Sequence, residues 1–134
     1  RVRERIAQEV QERLGLDETQ TQRLGETNRK FEERRRVLLA EERTARMGLR
    51  AQLMRKDSAD QRQVGALVDQ LISVQRRRLD LVEQEQRELA GFLTPVQRAT
   101  YLSMQDQMRR RMDEMRRGGG RRPGARGRGA PGTP

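Results

Sequence analysis

The sequence predicts an all-α protein of four helices, with a long antiparallel helical hairpin at the centre and short flanking helices. Three observations lead there. Residues 1 to 94 contain no proline. Apolar residues recur at helical spacing through the same span. Charged residues make up 37% of the chain against 32% hydrophobic and 2% aromatic, too little apolar material for a thick core but enough for narrow stripes along helices. High charge and low hydropathy also mark unfolded chains; the periodicity decides for helices.

The first helix is expected over about residues 2 to 14, with Ile6, Val10 and Leu14 on one face and Gly15 in the C-terminal cap position. The second runs from Asp17 to about Lys56. Asp17 is its N-cap, Gln20 the partner in a capping-box variant, and Leu24, Phe31, Leu38 and Ala45 repeat every seven residues, extended by Leu49 and Leu53. "KDSAD" breaks the pattern, and Asp57 or Ser58 is expected to cap the third helix, with Gln61 at the capping-box spacing from Ser58. That helix carries two apolar rows: Val64, Leu67, Leu71, Val74 and Leu81, interrupted by Arg78, and Val68, Ile72, Leu79, Val82 and Leu89. Its wider apolar face predicts the most buried helix of the four. Gly91 ends it. In "LTPVQ", Leu93 precedes the N-cap Thr94, Pro95 takes the first helical position where its missing N–H costs nothing, and Gln97 is the capping partner. The fourth helix then runs to about Arg117. Residues 1–117 form one helical domain, and residues 118–134, with three prolines and seven glycines, read as a disordered tail.

The chain has no cysteine or histidine, which excludes disulfides, thiolate or imidazole metal sites and catalytic pairs built on either residue. It has no phosphate-cradling glycine loop, no nucleophile elbow, and no carboxylate pair that stands out from helix-surface pairing such as Glu26–Lys30. No enzyme activity, cofactor or metal is expected. No apolar run approaches the roughly 18 residues of a spanning helix. The sequence begins at Arg1, so a signal peptide, membrane anchor or further domain is expected upstream. A net charge of +10 suggests acidic partners, whether nucleic acid, an anionic membrane surface or acidic protein segments.

Leu16, Asp17 and Gln20 in "LDETQ", and Leu93, Thr94, Pro95 and Gln97 in "LTPVQ", form two Leu-x-x-x-Gln helix starts separated by a long charged hairpin. Over about residues 6 to 115 this pattern resembles the LTxxQ-motif family of periplasmic proteins, the Spy- and CpxP-like chaperones and stress regulators, and the wider heavy-metal-resistance group of CnrX-like sensors. The second motif fits fully; the first has Asp17 in place of threonine, and both residues cap. The resemblance implies a periplasmic, cradle-like antiparallel homodimer. Such a dimer would hold partly unfolded proteins without ATP on basic and apolar patches, or act on a sensor kinase or anti-sigma factor. The resemblance also implies an alternative function, a periplasmic heavy-metal-resistance sensor or regulator of the same group, although sensors of the CnrX type use histidines that this chain lacks.

The residues expected to meet clients are Arg34, Arg35, Arg36, Arg76, Arg77 and Arg78, with Met47 and Met54. The ordinary reading of the arginine runs, Arg109–Arg111 included, is a solvated helix face balanced by Glu32, Glu33, Glu41, Glu42, Glu83, Glu85 and Asp113. Taken together, the runs would make a positive face with arginine stems covering apolar surface. Met104, Met108, Met112 and Met115 read first as a packing stripe, second as an adaptable client surface and third as soft ligands for copper(I). Leu24, Phe31, Leu38, Leu67, Leu71 and Val74 are assigned to packing. Gly25, Gly48 and Gly65 mark close helix approach or bends. The tail arginines allow a different function, a cytosolic RNA-binding or coiled-coil scaffold protein. With no aromatic in the tail, base stacking is not expected, and no specific nucleic acid is assigned.

Overall fold

Proline-free stripes of this length need a partner stripe to be stable in water, and the hairpin supplies it. The structure, a computed structural model, describes residues 1–120 of the chain. It contains α1 (Val2–Leu14), α2 (Glu18–Met54), α3 (Gln61–Ala90) and α4 (Pro95–Gly120), with a 3₁₀ turn at Lys56–Ser58 between α2 and α3. The described residues are all-α and hold no strand. α4 continues to Gly120, past the end expected near Arg117. The disorder expected of the tail otherwise concerns residues outside those described.

α2 has 37 residues, about 55 Å at 1.5 Å per residue, and packs antiparallel against α3. Leu24, Phe31, Leu38 and Ala45 are all buried, as the seven-residue repeat requires. The repeat does not continue through Leu49 and Leu53. Its next position is Gln52, which is buried, while Leu53 faces solvent. A polar residue serves there because the chain is turning. Gln52 Oε1 accepts from the Asp60 amide at 2.9 Å, and its Nε2 donates to Gln63. Lys56 takes a left-handed conformation (φ 52°) to make the turn.

The cap of α3 is Asp60, not Asp57 or Ser58: Asp60 Oδ1 accepts from the Arg62 and Gln63 amides at 3.1 and 3.2 Å. Ser58 is occupied inside the 3₁₀ turn, donating to the Arg55 carbonyl at 2.8 Å. Gly48 marks a close approach, since a Cβ there would lie 3.1 Å from Leu67 Cδ1.

α3 is not the most buried helix. It buries Val74, Glu85 and Leu89, whereas α2 buries Leu24, Thr27, Phe31, Leu38, Ala45 and Gln52. A two-helix hairpin covers one seam per helix, and α3 has two. Val74 packs in the first, with Leu67 and Leu71 partly covered beside it. In the second, Val68, Ile72, Leu79 and Val82 are 42–67% exposed. Leu89 leaves that row for the core at the other end of the hairpin.

That core forms where both flanking helices turn. α1 ends in paired bonds, Gly15 N–H to Glu12 O and Leu16 N–H to Gln11 O, around Gly15 in the left-handed region (φ 65°). Asp17 and Gln20 then form the expected capping box, and so do Thr94 and Gln97 at the start of α4. Val10, Leu14, Leu16, Leu24, Leu89, Leu93 and Tyr101 make one buried cluster, with Ile6, Phe92 and Met104 packed against it. α1 packs against α4, and Tyr101 Oη donates to Asn28 Oδ1 of α2 at 3.4 Å.

Candidate functional site

The two Leu-x-x-x-Gln motifs meet. Each glutamine Oε1 accepts from its own cap amide, Asp17 N–H at 3.1 Å and Thr94 N–H at 3.0 Å. Each Nε2 donates to the opposite corner. Gln20 donates to the Phe92 carbonyl at 2.8 Å and to Gln97 Oε1 at 3.2 Å; Gln97 donates to the Leu14 carbonyl at 3.2 Å. Leu14 is the last residue of α1, so Gln97 satisfies one of the carbonyls that a helix end leaves without a partner. Leu16 and Leu93 are buried in the adjoining core, and Pro95 opens α4. These motif residues are architectural: they lock two helix starts together. Their repetition in the sequence signalled two caps, but not that the caps touch.

The expected client residues converge only in part: Arg34 and Arg77 share one recess and the others lie elsewhere. Successive residues step by about 100° round a helix, so Arg34 and Arg35 fall on opposite edges of the stripe through Phe31 and Leu38. On one edge, Arg34 and Arg77 line an open recess of about 320 Å³ with Val37, Leu38, Leu81 and Gln84. The Arg34 guanidinium lies 5.2 Å from the centre of the Phe31 ring and donates to Gln84 Oε1 at 3.3 Å; Arg77 pairs with Glu41. On the other edge, Arg35 binds the buried Glu85 at 3.0 Å, and Arg78 binds Glu42 at 2.7 Å. Arg36 folds back on Glu32 and Glu33 of its own helix. Arg76, Met47 and Met54 each follow a buried seam residue by two positions, about 200° of rotation, and so face outward. Arg76 has no carboxylate partner among the described residues.

The arginine runs are therefore largely balanced helix surface, as their ordinary reading has it, and the balancing crosses the seam. Glu42 accepts from Arg78, from Arg46 at 3.1 Å and from Gln75 at 3.4 Å. These contacts, Arg78 first and then Arg46, hold its carboxyl below the usual value of 4.5. Lys30 does not pair with Glu26 along its helix but with Glu88 across the hairpin, at 2.6 Å. At the corner, burial and then the nearby Glu85 charge push the Tyr101 phenol up to about 12. Sequence reasoning missed Val37, Leu81 and Gln84, because which side chains border a recess depends on the register of α2 against α3.

The second seam of α3 is the larger uncovered feature. Val68, Ile72, Gln75, Leu79, Val82 and Gln86 follow one another at alternating spacings of four and three, the spacing of a second helix contact. Gln75 reaches Glu42, and Arg98 of α4 donates to the Gln86 carbonyl at 3.5 Å, so α4 crosses this side of the hairpin only at the end of the row. The methionine stripe divides similarly: Met104 packs on the corner core, while Met108, Met112 and Met115 are exposed. No helix of the described residues is long and apolar enough to cross a membrane. No family model, curated protein or solved structure matches the chain.

Proposed function

We propose that this chain is a periplasmic, ATP-independent chaperone or envelope-stress adaptor of the LTxxQ-motif type, receiving partly unfolded proteins on a basic and apolar helical surface. The observation that carries this reading is the recess between α2 and α3. There Arg34 and Arg77 are held by cross-seam contacts beside the exposed Val37 and the part-covered Leu81. Fixed guanidiniums next to apolar surface suit segments that are both acidic and greasy. Long-range attraction brings them in, and shallow apolar contact holds them weakly. In the adaptor branch, the same surface would meet the exposed face of a sensor kinase or anti-sigma factor.

The proposal includes an antiparallel homodimer built on the second seam of α3. That row is nearly palindromic. Turned end for end about Gln75, it sets Ile72 against Leu79 and Val68 against Val82 of a second copy. Paired Gln75 side chains at the centre would fix the register, as a polar residue in an apolar seam does. Two such hairpins bury surface that a single one leaves in water.

The functional test is suppression of aggregation of a chemically denatured protein by the full chain at low salt. Suppression that fades as salt is raised, and that a Val37→Asp substitution weakens, is the expected result. No suppression at a severalfold molar excess would overturn the reading.

A further inference from the structure

Beyond Asp106, the described side chains of α4 are uncovered. Every residue from Gln107 to Gly118 is exposed. Met108, Met112 and Met115, at i, i+4 and i+7, share one face and are 39%, 52% and 75% exposed. On a regular helix Arg109, Arg111 and Arg116 lie within about 95° of the centre of that face, whereas Asp106, Asp113 and Glu114 lie more than about 125° away. The carboxylates are on the back of the helix with Arg110 and Arg117, which lie beside them, while Arg109, Arg111 and Arg116 flank the methionines. In the hairpin, Arg35, Arg77 and Arg78 are drawn into short ion pairs across the seam. Here the one pair among the described residues is Arg109 with Asp106, at 3.8 Å.

We propose that this half of α4 docks an acidic polypeptide segment, its apolar side chains lying on Met108, Met112 and Met115 and its carboxylates meeting Arg109, Arg111 and Arg116. Charge selects this occupant. The same face of a second copy would set arginine against arginine, and residues 118–134 hold four arginines and no acid. An anionic membrane fits less well, because helices that lie in the interface bury long faces rich in Trp, Phe and Leu, and this face has none of these. Methionine is flexible and polarisable, so one face accepts segments of differing shape. The biological use of the site rests on the chaperone reading; the contact itself does not.

The test uses the full chain and a fluorescent peptide with Leu and Phe at i, i+3 and i+4 separated by Glu, followed by fluorescence anisotropy at low salt. Two variants are compared, M108Q/M112Q/M115Q and R109Q/R111Q/R116Q. Glutamine keeps helix propensity, so circular dichroism should be unchanged. The proposal expects saturable micromolar binding by the native chain, and about tenfold or greater weakening in each variant. Absence of binding, or variants within about twofold of the native chain, would overturn it. So would phosphatidylglycerol vesicles binding more tightly than the peptide with the same dependence on the two triplets. If aggregation suppression fails while the peptide still depends on both triplets, the chaperone reading falls and this surface stands. If suppression survives and the peptide result fails, the reverse holds.

Discussion

A glutamate at position 20 or 97 would complete either capping box as well as glutamine does, but it has no N–H to give. Gln20→Glu would leave the Phe92 carbonyl unpartnered and set a carboxylate oxygen against it and against Gln97 Oε1, and Gln97→Glu would leave the Leu14 carbonyl unpartnered with a carboxylate oxygen facing it. A part-buried acceptor left without a donor costs about 1–3 kcal/mol, so each variant should unfold at lower denaturant by that amount. Exchanging Asp17 for asparagine, which keeps the cap, should be nearly silent. Two further residues make stability depend on pH. Glu42 has a lowered folded pKa, so its contribution is complete above 4.5 and is lost as pH falls through the lower folded value. Tyr101 has a raised one, so its contribution is complete below 10 and is lost between 10 and about 12. Thermal melts across both windows should show the two losses, with Glu42→Gln flattening the acid limb and Tyr101→Phe the alkaline one. Because Tyr101 is the only tyrosine, its ultraviolet titration reports the alkaline step directly.

At the scale of the element, α2 and α3 are joined by ion pairs whose value depends on burial. Glu85 is buried and its partner Arg35 is partly exposed, which places the cost of Arg35→Ala at about 2 kcal/mol, below that of a fully buried pair. Arg35→Met combined with Glu85→Leu should recover most of that loss, because removing both charges leaves no buried carboxylate alone. Denaturant unfolding of the two variants checks this. Much of this hairpin was legible in the sequence, since a seven-residue repeat such as Leu24 to Ala45 has one physical interpretation. Gln52 was not legible, because polarity hides a seam position that is buried only where the chain turns. Nor was the choice of Asp60 over Ser58, since adjacent capping residues compete and tertiary bonds to Gln52 decide. Of the candidate site, the arginines and the carboxylates that balance them were legible, but not which pairs with which across the seam. Only the register of the hairpin brings Glu41, Glu42 and Glu85 to them.

For the whole molecule, both rows of α3 were visible in the sequence, yet the hairpin covers only one of them. The composition explains why. With few apolar residues, the fold places its compact core at the corner where α1 and α4 meet the hairpin, and leaves the middle of the second row open. A row so regular and so nearly palindromic is what a self-complementary contact requires. The central claim is that a second copy fills it, leaving the arginine recess and the far half of α4 free for other proteins. Sedimentation equilibrium of the full chain at micromolar concentration, beside a Leu79→Glu variant, tests this most directly. The account predicts a dimer for the native chain and a monomer of equal helicity for the variant. A native chain that sediments as a folded monomer, or a variant that stays dimeric, would contradict it.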